Sequence, residues 1–271
     1  MIQKLLLFIA SWFFVAAVSS QECQPEHMQW LERIHPNLSV TNTQGDVLHL
    51  PEYFEGVQCK VWPAMPQLLI MANAWQGEER DGLRSGDLEV LLLDSKTGAL
   101  KSRFYQENQL DSDAMYVSGL TIDTAPYRLD ANNLSNLSFG VRADRSGSSR
   151  ANPFGSTDLT LFVVEGLRLQ PVLKQYEVTT SGGEWDTRCA GVFNEIASTL
   201  HLLPTVHNGF FDIEVRSRQQ VDRQSYDVKN DDCQSRQVLD KTFKNRLQFN
   251  GTEYTQTTRV EGVDYFKFTQ N

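Results

Sequence analysis

The feature that most constrains this chain is the punctuation of its apolar residues. They fall in short runs cut by Gly, Asn, Asp and Ser, with no helical segment between them long enough to carry a parallel crossover. Residues 67–74 (QLLIMANA) and 87–94 (DLEVLLLD) are strand-length apolar runs. Residues 99–106 (ALKSRFYQ) alternate faces after the turn Ser95-Lys96-Thr97-Gly98. Further strands are expected at 115–123, 137–144, 158–165, 167–173 and 210–216, with Gly166 joining the third to the fourth and Asn250-Gly251 dividing a last pair. Only 24–36 reads as a helix: Met28, Trp30, Leu31 and Ile34 recur at near-helical spacing until Pro36 stops the pattern. The expected fold class is mainly β, with antiparallel sandwich-like sheets, a short N-terminal helix and two disulfides.

The first residues carry a different signature. Lys4 precedes an apolar stretch from Leu5 to Val18, and small residues (Ala16, Ala17, Ser19, Ser20) lead into the polar Gln21-Glu22. These are the parts of a secretory signal spanning 1–20, and the apolar run falls short of the ~20 residues a membrane-crossing helix needs. A periplasmic or secreted protein is expected, with no membrane span after cleavage. With Lys4 removed, 24 cationic side chains stand against 34 anionic ones, a net charge of −10. Such a chain repels polyphosphate, so no nucleic-acid partner is expected.

Cys23, Cys59, Cys189 and Cys233 all follow the signal. Four cysteines allow three pairings, and their distribution favours Cys23–Cys59 and Cys189–Cys233, which close loops without a long-range crossing. No CxxC spacing occurs and the histidines do not cluster beside the cysteines, so disulfides are expected rather than a metal site. Residues 21–271 read as one β-rich unit, the alternative being a division that sets off a smaller C-terminal disulfide-closed part from about 181. The polar stretch 145–157 (RSGSSRANPFGST) is the longest expected loop and the point at which a linker could fall.

The chemistry-bearing motifs are few. GxSxG, HExxH and the nucleotide-binding glycine patterns are absent, and no cofactor is expected. Glu184 and Asp186 would share one face of a strand, roughly 6.5–7 Å apart along the backbone. Paired carboxylates at such spacing can divide acid and base work on a glycosidic bond. A family of jelly-roll glycosidases uses an ExDxxE strand in this way, and this chain resembles it at Glu184 and Asp186 but has Cys189 in place of the third acid. The other candidate is the loop carrying Arg145, Arg150, Asn152 and Phe154. Guanidinium forks and turn amides favour anions, Phe154 offers an apolar anchor, and Pro153 restricts Asn152 to extended geometry. The alternative is that these arginines pair with Asp144 and Asp158.

Two stretches carry a resemblance. Ser148-Ser-Arg-Ala-Asn-Pro-Phe, followed by Leu159-Thr-Leu-Phe and Gln170-Pro-Val-Leu, and then Gly183-Glu-Trp-Asp-Thr-Arg-Cys-Ala-Gly, resemble uncharacterised exported β-rich proteins of proteobacteria. The resemblance covers 67–233 and implies a periplasmic β-rich protein without implying an activity. Residues 159–173 are also similar to a strand pair of periplasmic lysozyme inhibitors. The expected function is an exported soluble binding protein, an inhibitor or envelope-associated factor whose partner is a protein or envelope component. The alternative is an envelope glycan hydrolase using Glu184 and Asp186.

Overall fold

Pro25 at its first turn and Pro36 beyond its end bound the helix α1, Pro25–Ile34. It is the first element in a computed structural model that describes residues 22–50, 56–111, 115–258 and 261–268; the expected signal, 1–20, lies outside them. Short strands β1 (Ser39–Thr41), β2 (Val47–His49) and β3 (Val57–Val61) follow α1. Then come β4 (Leu68–Arg80), β5 (Leu83–Asp94), β6 (Leu100–Gln106), β7 (Met115–Tyr127), β8 (Ser138–Gly147) and β9 (Phe154–Glu165). The longest are β10 (Arg168–Trp185), β11 (Gly191–His207), β12 (Phe210–Asp227) and β13 (Asp232–Phe249), before the short β14 (Tyr254–Thr258). All pair into one 14-stranded sheet, antiparallel except where β6 meets β10 at Arg103 and Arg168. The mainly β, antiparallel fold and both disulfides are as the sequence predicts.

The sheet curls so that β7 comes to lie beside β3, and Lys60 Nζ donates to the Ile122 carbonyl 3.3 Å away. Alternation then sorts the apolar side chains of β4 and β5 between two cores. Ile70, Ala72, Ala74, Leu88, Val90 and Leu92 face inward to Phe139, Phe162 and Ile122. Leu69, Met71, Trp75, Leu91 and Leu93 face outward, under Trp30 and Leu31 of α1. Strands buried on both faces read as continuous apolar runs, which is why 67–74 and 87–94 show no alternation. A third core joins Leu159, Leu161 and Val163 of β9 to Ile213 and Val215 of β12 and Leu247 of β13.

Helix and sheet are tied by Cys23–Cys59, across a separation of 36 residues. In the chain-entropy account a loop of that length stabilises by about 4 kcal/mol. Gly98 closes the β5–β6 turn at φ +68°, and a Cβ there would stand 2.3 Å from the Trp30 ring, so this glycine admits both the turn and the tryptophan.

Beyond this body, β11, β12 and β13 form a long ribbon whose register sets its two faces. Gly182, Asn194 and Val221 lie in one row, and Glu184, Val192 and Arg223 in another, on the face that also carries Ile196 and Gln219. Ser181, Glu195 and Gln220 share a row of the opposite face, as do Gly183, Phe193 and Asp222. At its far end, Cys189–Cys233 joins the β10–β11 connection to the start of β13.

Three features differ from the sequence reading. The loop expected at 145–157 is only 148–153, because β8 continues to Gly147 and β9 starts at Phe154. The strand expected at 167–173 continues through 185, pairing with β9 as far as Gly182 and with β11 from Thr179, so one continuous strand crosses residue 181. Much of β11 and β13 is polar on both faces and held by its ladder, which leaves little period-2 signal to read.

Candidate functional site

The two segments singled out in the sequence meet. Loop 148–153 runs beside the end of β10, where the Gly183 N–H donates to the Pro153 carbonyl at 3.0 Å and the Trp185 N–H to that of Ala151 at 3.1 Å. Trp185 Nε1 donates to the Arg150 carbonyl at 2.6 Å. Arg145 and Arg150, paired in the sequence reading, have different surroundings. The Arg145 guanidinium is largely buried: it meets Asp158 at 3.1 Å and donates to the carbonyls of Gln109 (2.9 Å) and Asp111 (3.1 Å). Burial pushes the Asp158 carboxyl above the usual aspartate range, with Arg145 opposing the shift. Arg150 is exposed, and its guanidinium makes no hydrogen bond or ion pair among the described residues. Asn152 is exposed and its backbone N–H donates to Ser149 Oγ at 3.1 Å, while Phe154 is half-buried.

Glu184 and Asp186 also separate in role. Glu184 stays in β10, exposed and paired with Val192. Asp186 follows the strand, and its Oδ1 accepts the N–H groups of Arg188, Cys189 and Ala190 at 2.9, 2.9 and 3.0 Å. Those bonds hold the carboxyl below the usual aspartate range. An acid so held keeps no proton to deliver at neutral pH; it caps the turn leading to Cys189.

Two clefts flank these strands. The first, about 520 Å³, lies where β8–β9 meets the ribbon and is lined by Phe154, Gly155, Ser181, Phe193, Glu195 and Asp222. Glycine and serine make its floor low, and the Phe193 ring covers Gly183, where a Cβ would stand 2.6 Å from it. Trp185 continues the aromatic ledge, 6.0 Å from Phe193 between ring centroids. The side chains of Glu195, Gln220 and Asp222 make no hydrogen bond or ion pair among the described residues. The second cleft, about 560 Å³, is lined by Glu184, Asp186, Val192, Arg223 and Phe268 among others.

Two buried polar clusters lie elsewhere. Glu89 has no exposed surface and accepts from His35 Nε2 (2.9 Å), Asn73 Nδ2 (2.9 Å), Trp75 Nε1 (3.0 Å) and Arg103 Nε (2.7 Å). Burial opposes its ionisation, but His35, Arg103 and Asn73 together hold the carboxyl below the usual glutamate range. Asp212, also fully buried, meets Thr205 Oγ1 and His207 Nδ1, each at 2.6 Å. His207 Nε2 faces the Gln248 amide at 3.2 Å, and among the described residues no serine, threonine or cysteine side chain lies at hydrogen-bond distance from that nitrogen.

The sequence reading missed Phe193, Glu195, Gln220, Asp222 and Arg223, because their strands carry little periodic signal. Glu89 did leave a trace: an acid inside the apolar run DLEVLLLD has to find donors when that run is buried on both faces. No family model, characterised protein or solved structure matches the chain. Among the described residues, no helix is long and apolar enough to cross a membrane.

Proposed function

We propose that this is an exported binding protein, an inhibitor or envelope-associated factor, that takes a cationic segment of a partner protein into the cleft beside loop 148–153. The observation that carries this reading is the unpaired set Glu195, Gln220 and Asp222, placed beside the Phe193 and Phe154 rings in an open groove. Carboxylates without counterions, next to an aromatic face, suit a lysine or arginine side chain, which gains both ion pairing and cation–π attraction. Export is supported by the disulfides Cys23–Cys59 and Cys189–Cys233, which persist in oxidising compartments. The N-terminal signal pattern and the resemblance of 148–154 and 183–191 to exported proteins point the same way. The glycan-hydrolase alternative loses support because Asp186 is engaged by three backbone donors.

The test is affinity capture from a native envelope extract with wild-type protein and with Glu195→Lys/Asp222→Lys. The expected outcome is a specific partner lost from the double variant while the melting temperature stays unchanged. The same partner retained by the variant would remove this cleft as its site.

A further inference from the structure

The ribbon face opposite that cleft is covered by the chain's own C-terminal segment. Val221, Gln219, Val192 and Asn194 are 0%, 1%, 4% and 7% exposed although none of them belongs to the three cores. Gln219 reads the main chain of Val263 at both polar groups. Its Oε1 accepts the Val263 N–H at 2.6 Å and its Nε2 donates to the Val263 carbonyl at 2.6 Å, while Asn194 Oδ1 fixes the same Nε2 at 2.7 Å. A side-chain amide used this way imitates the edge of a strand and recognises extended backbone without regard to the side chain it carries. Arg223 donates to the Phe268 carbonyl further along, and the second cleft opens beside Phe268.

One position adds selectivity. A Cβ on residue 262 would stand 2.9 Å from Gln219 Oε1 and 3.3 Å from Ile196 Cδ1. Gln219 is clamped between Asn194 and Val263, so it cannot swing aside without breaking its buried bonds. The groove is therefore tightest immediately before the residue whose main chain is read, where any side chain crowds Gln219 and Ile196 and glycine does not.

We propose that the Gln219–Arg223 face is a peptide-binding groove that reads a non-helical stretch with glycine at this position, and that residues 261–264, which lead into the 3₁₀ turn Tyr265–Phe268, are its intramolecular occupant. This assignment is independent of the acidic cleft, which lies on the other face. Attachment in the same chain supplies the occupant at an effective concentration of order mM, so a free peptide competes poorly until the tail is unseated.

The experiment uses full-length protein and a fluorescein-labelled peptide of residues 261–268, read by fluorescence anisotropy. Gly262→Val unseats the tail by crowding Gln219 and Ile196. This variant should bind the peptide saturably and at least ten-fold more tightly than wild type, and a peptide carrying valine for glycine should not bind. Equal affinity for wild type and variant, or no binding to a variant that melts like wild type, overturns the proposal. Amide exchange on the wild-type protein needs no variant. The Val263 amide should be protected at least ten-fold beyond an unstructured tail, and exchange at the unstructured rate overturns the proposal independently.

Discussion

Replacing Glu89 by glutamine probes a fully buried, four-fold hydrogen-bonded charge. The carboxylate is fully buried and accepts from four side chains, His35, Asn73, Trp75 and Arg103. Glutamine keeps the shape and one acceptor oxygen but turns an NH₂ toward groups that are themselves donors. At least one buried donor is then left unpaired, at ~1–3 kcal/mol, and the charge-assisted bond to Arg103 is lost. Arg103 is 42% exposed and can recover water, which keeps the total at about 3 kcal/mol rather than the top of the range for breaking buried pairs. For a chain of this size that corresponds to a fall in Tm of about 6–12 °C. Thermal unfolding at pH 7, followed by tryptophan fluorescence, measures it. Because the folded-state pKa of Glu89 is depressed, its contribution is fully present above the ordinary carboxylate range and is lost as pH falls through the lower folded value. The gap between wild type and Glu89→Gln should therefore narrow below about pH 4. A difference under about 1 kcal/mol at neutral pH, or a gap that does not change into acid, would refute the reasoning.

Arg145→Ala should lower stability by about 1–3 kcal/mol, because Asp158 is left half-buried without its cation; Arg150→Ala should leave the melt unchanged. Urea titrations of the two variants check this, and equal midpoints would mean the Arg145 network carries no weight. Gly98→Ala should destabilise by at least ~1 kcal/mol from its φ of +68° alone, with a further loss as Trp30 is displaced. A shifted Trp30 emission in the native state is the accompanying signature, and an unshifted spectrum with an unchanged melt would contradict the packing described.

What could be read in the sequence follows from where burial imposes a pattern. The helix at Trp30 and Leu31, the strands around Ile70 and Val90, and the turn at Gly98 all answer to a core, so their residues are periodic or apolar. Arg150 and Phe154 were visible as candidates, and the structure puts their loop against Trp185, itself beside Glu184. The groove-lining Glu195, Gln220 and Asp222 were not visible. They lie on strands with water on one side and little hydrophobic alternation on the other, held by backbone ladders that any residue can supply. Gln219 is the sharpest case. Its burial comes from a segment more than 40 residues away in the chain, and no local pattern announces a partner that distant.

Strand neighbours in this sheet mostly follow chain order, and the parallel seam at Arg103 and Arg168 is the chief exception. Ser102 Oγ reaches the Gly166 carbonyl across a separation of 64 residues at that seam. Hairpins such as β4–β5 and β11–β12 close short loops and can assemble early, whereas the seam must wait for β7, β8 and β9 to be in place. Until then Leu88, Val90 and Phe162 stand on unjoined halves of one core. Unjoined halves of this kind leave apolar surface and strand edges open, so the interval between hairpin formation and this pairing is when such a chain is most exposed to aggregation.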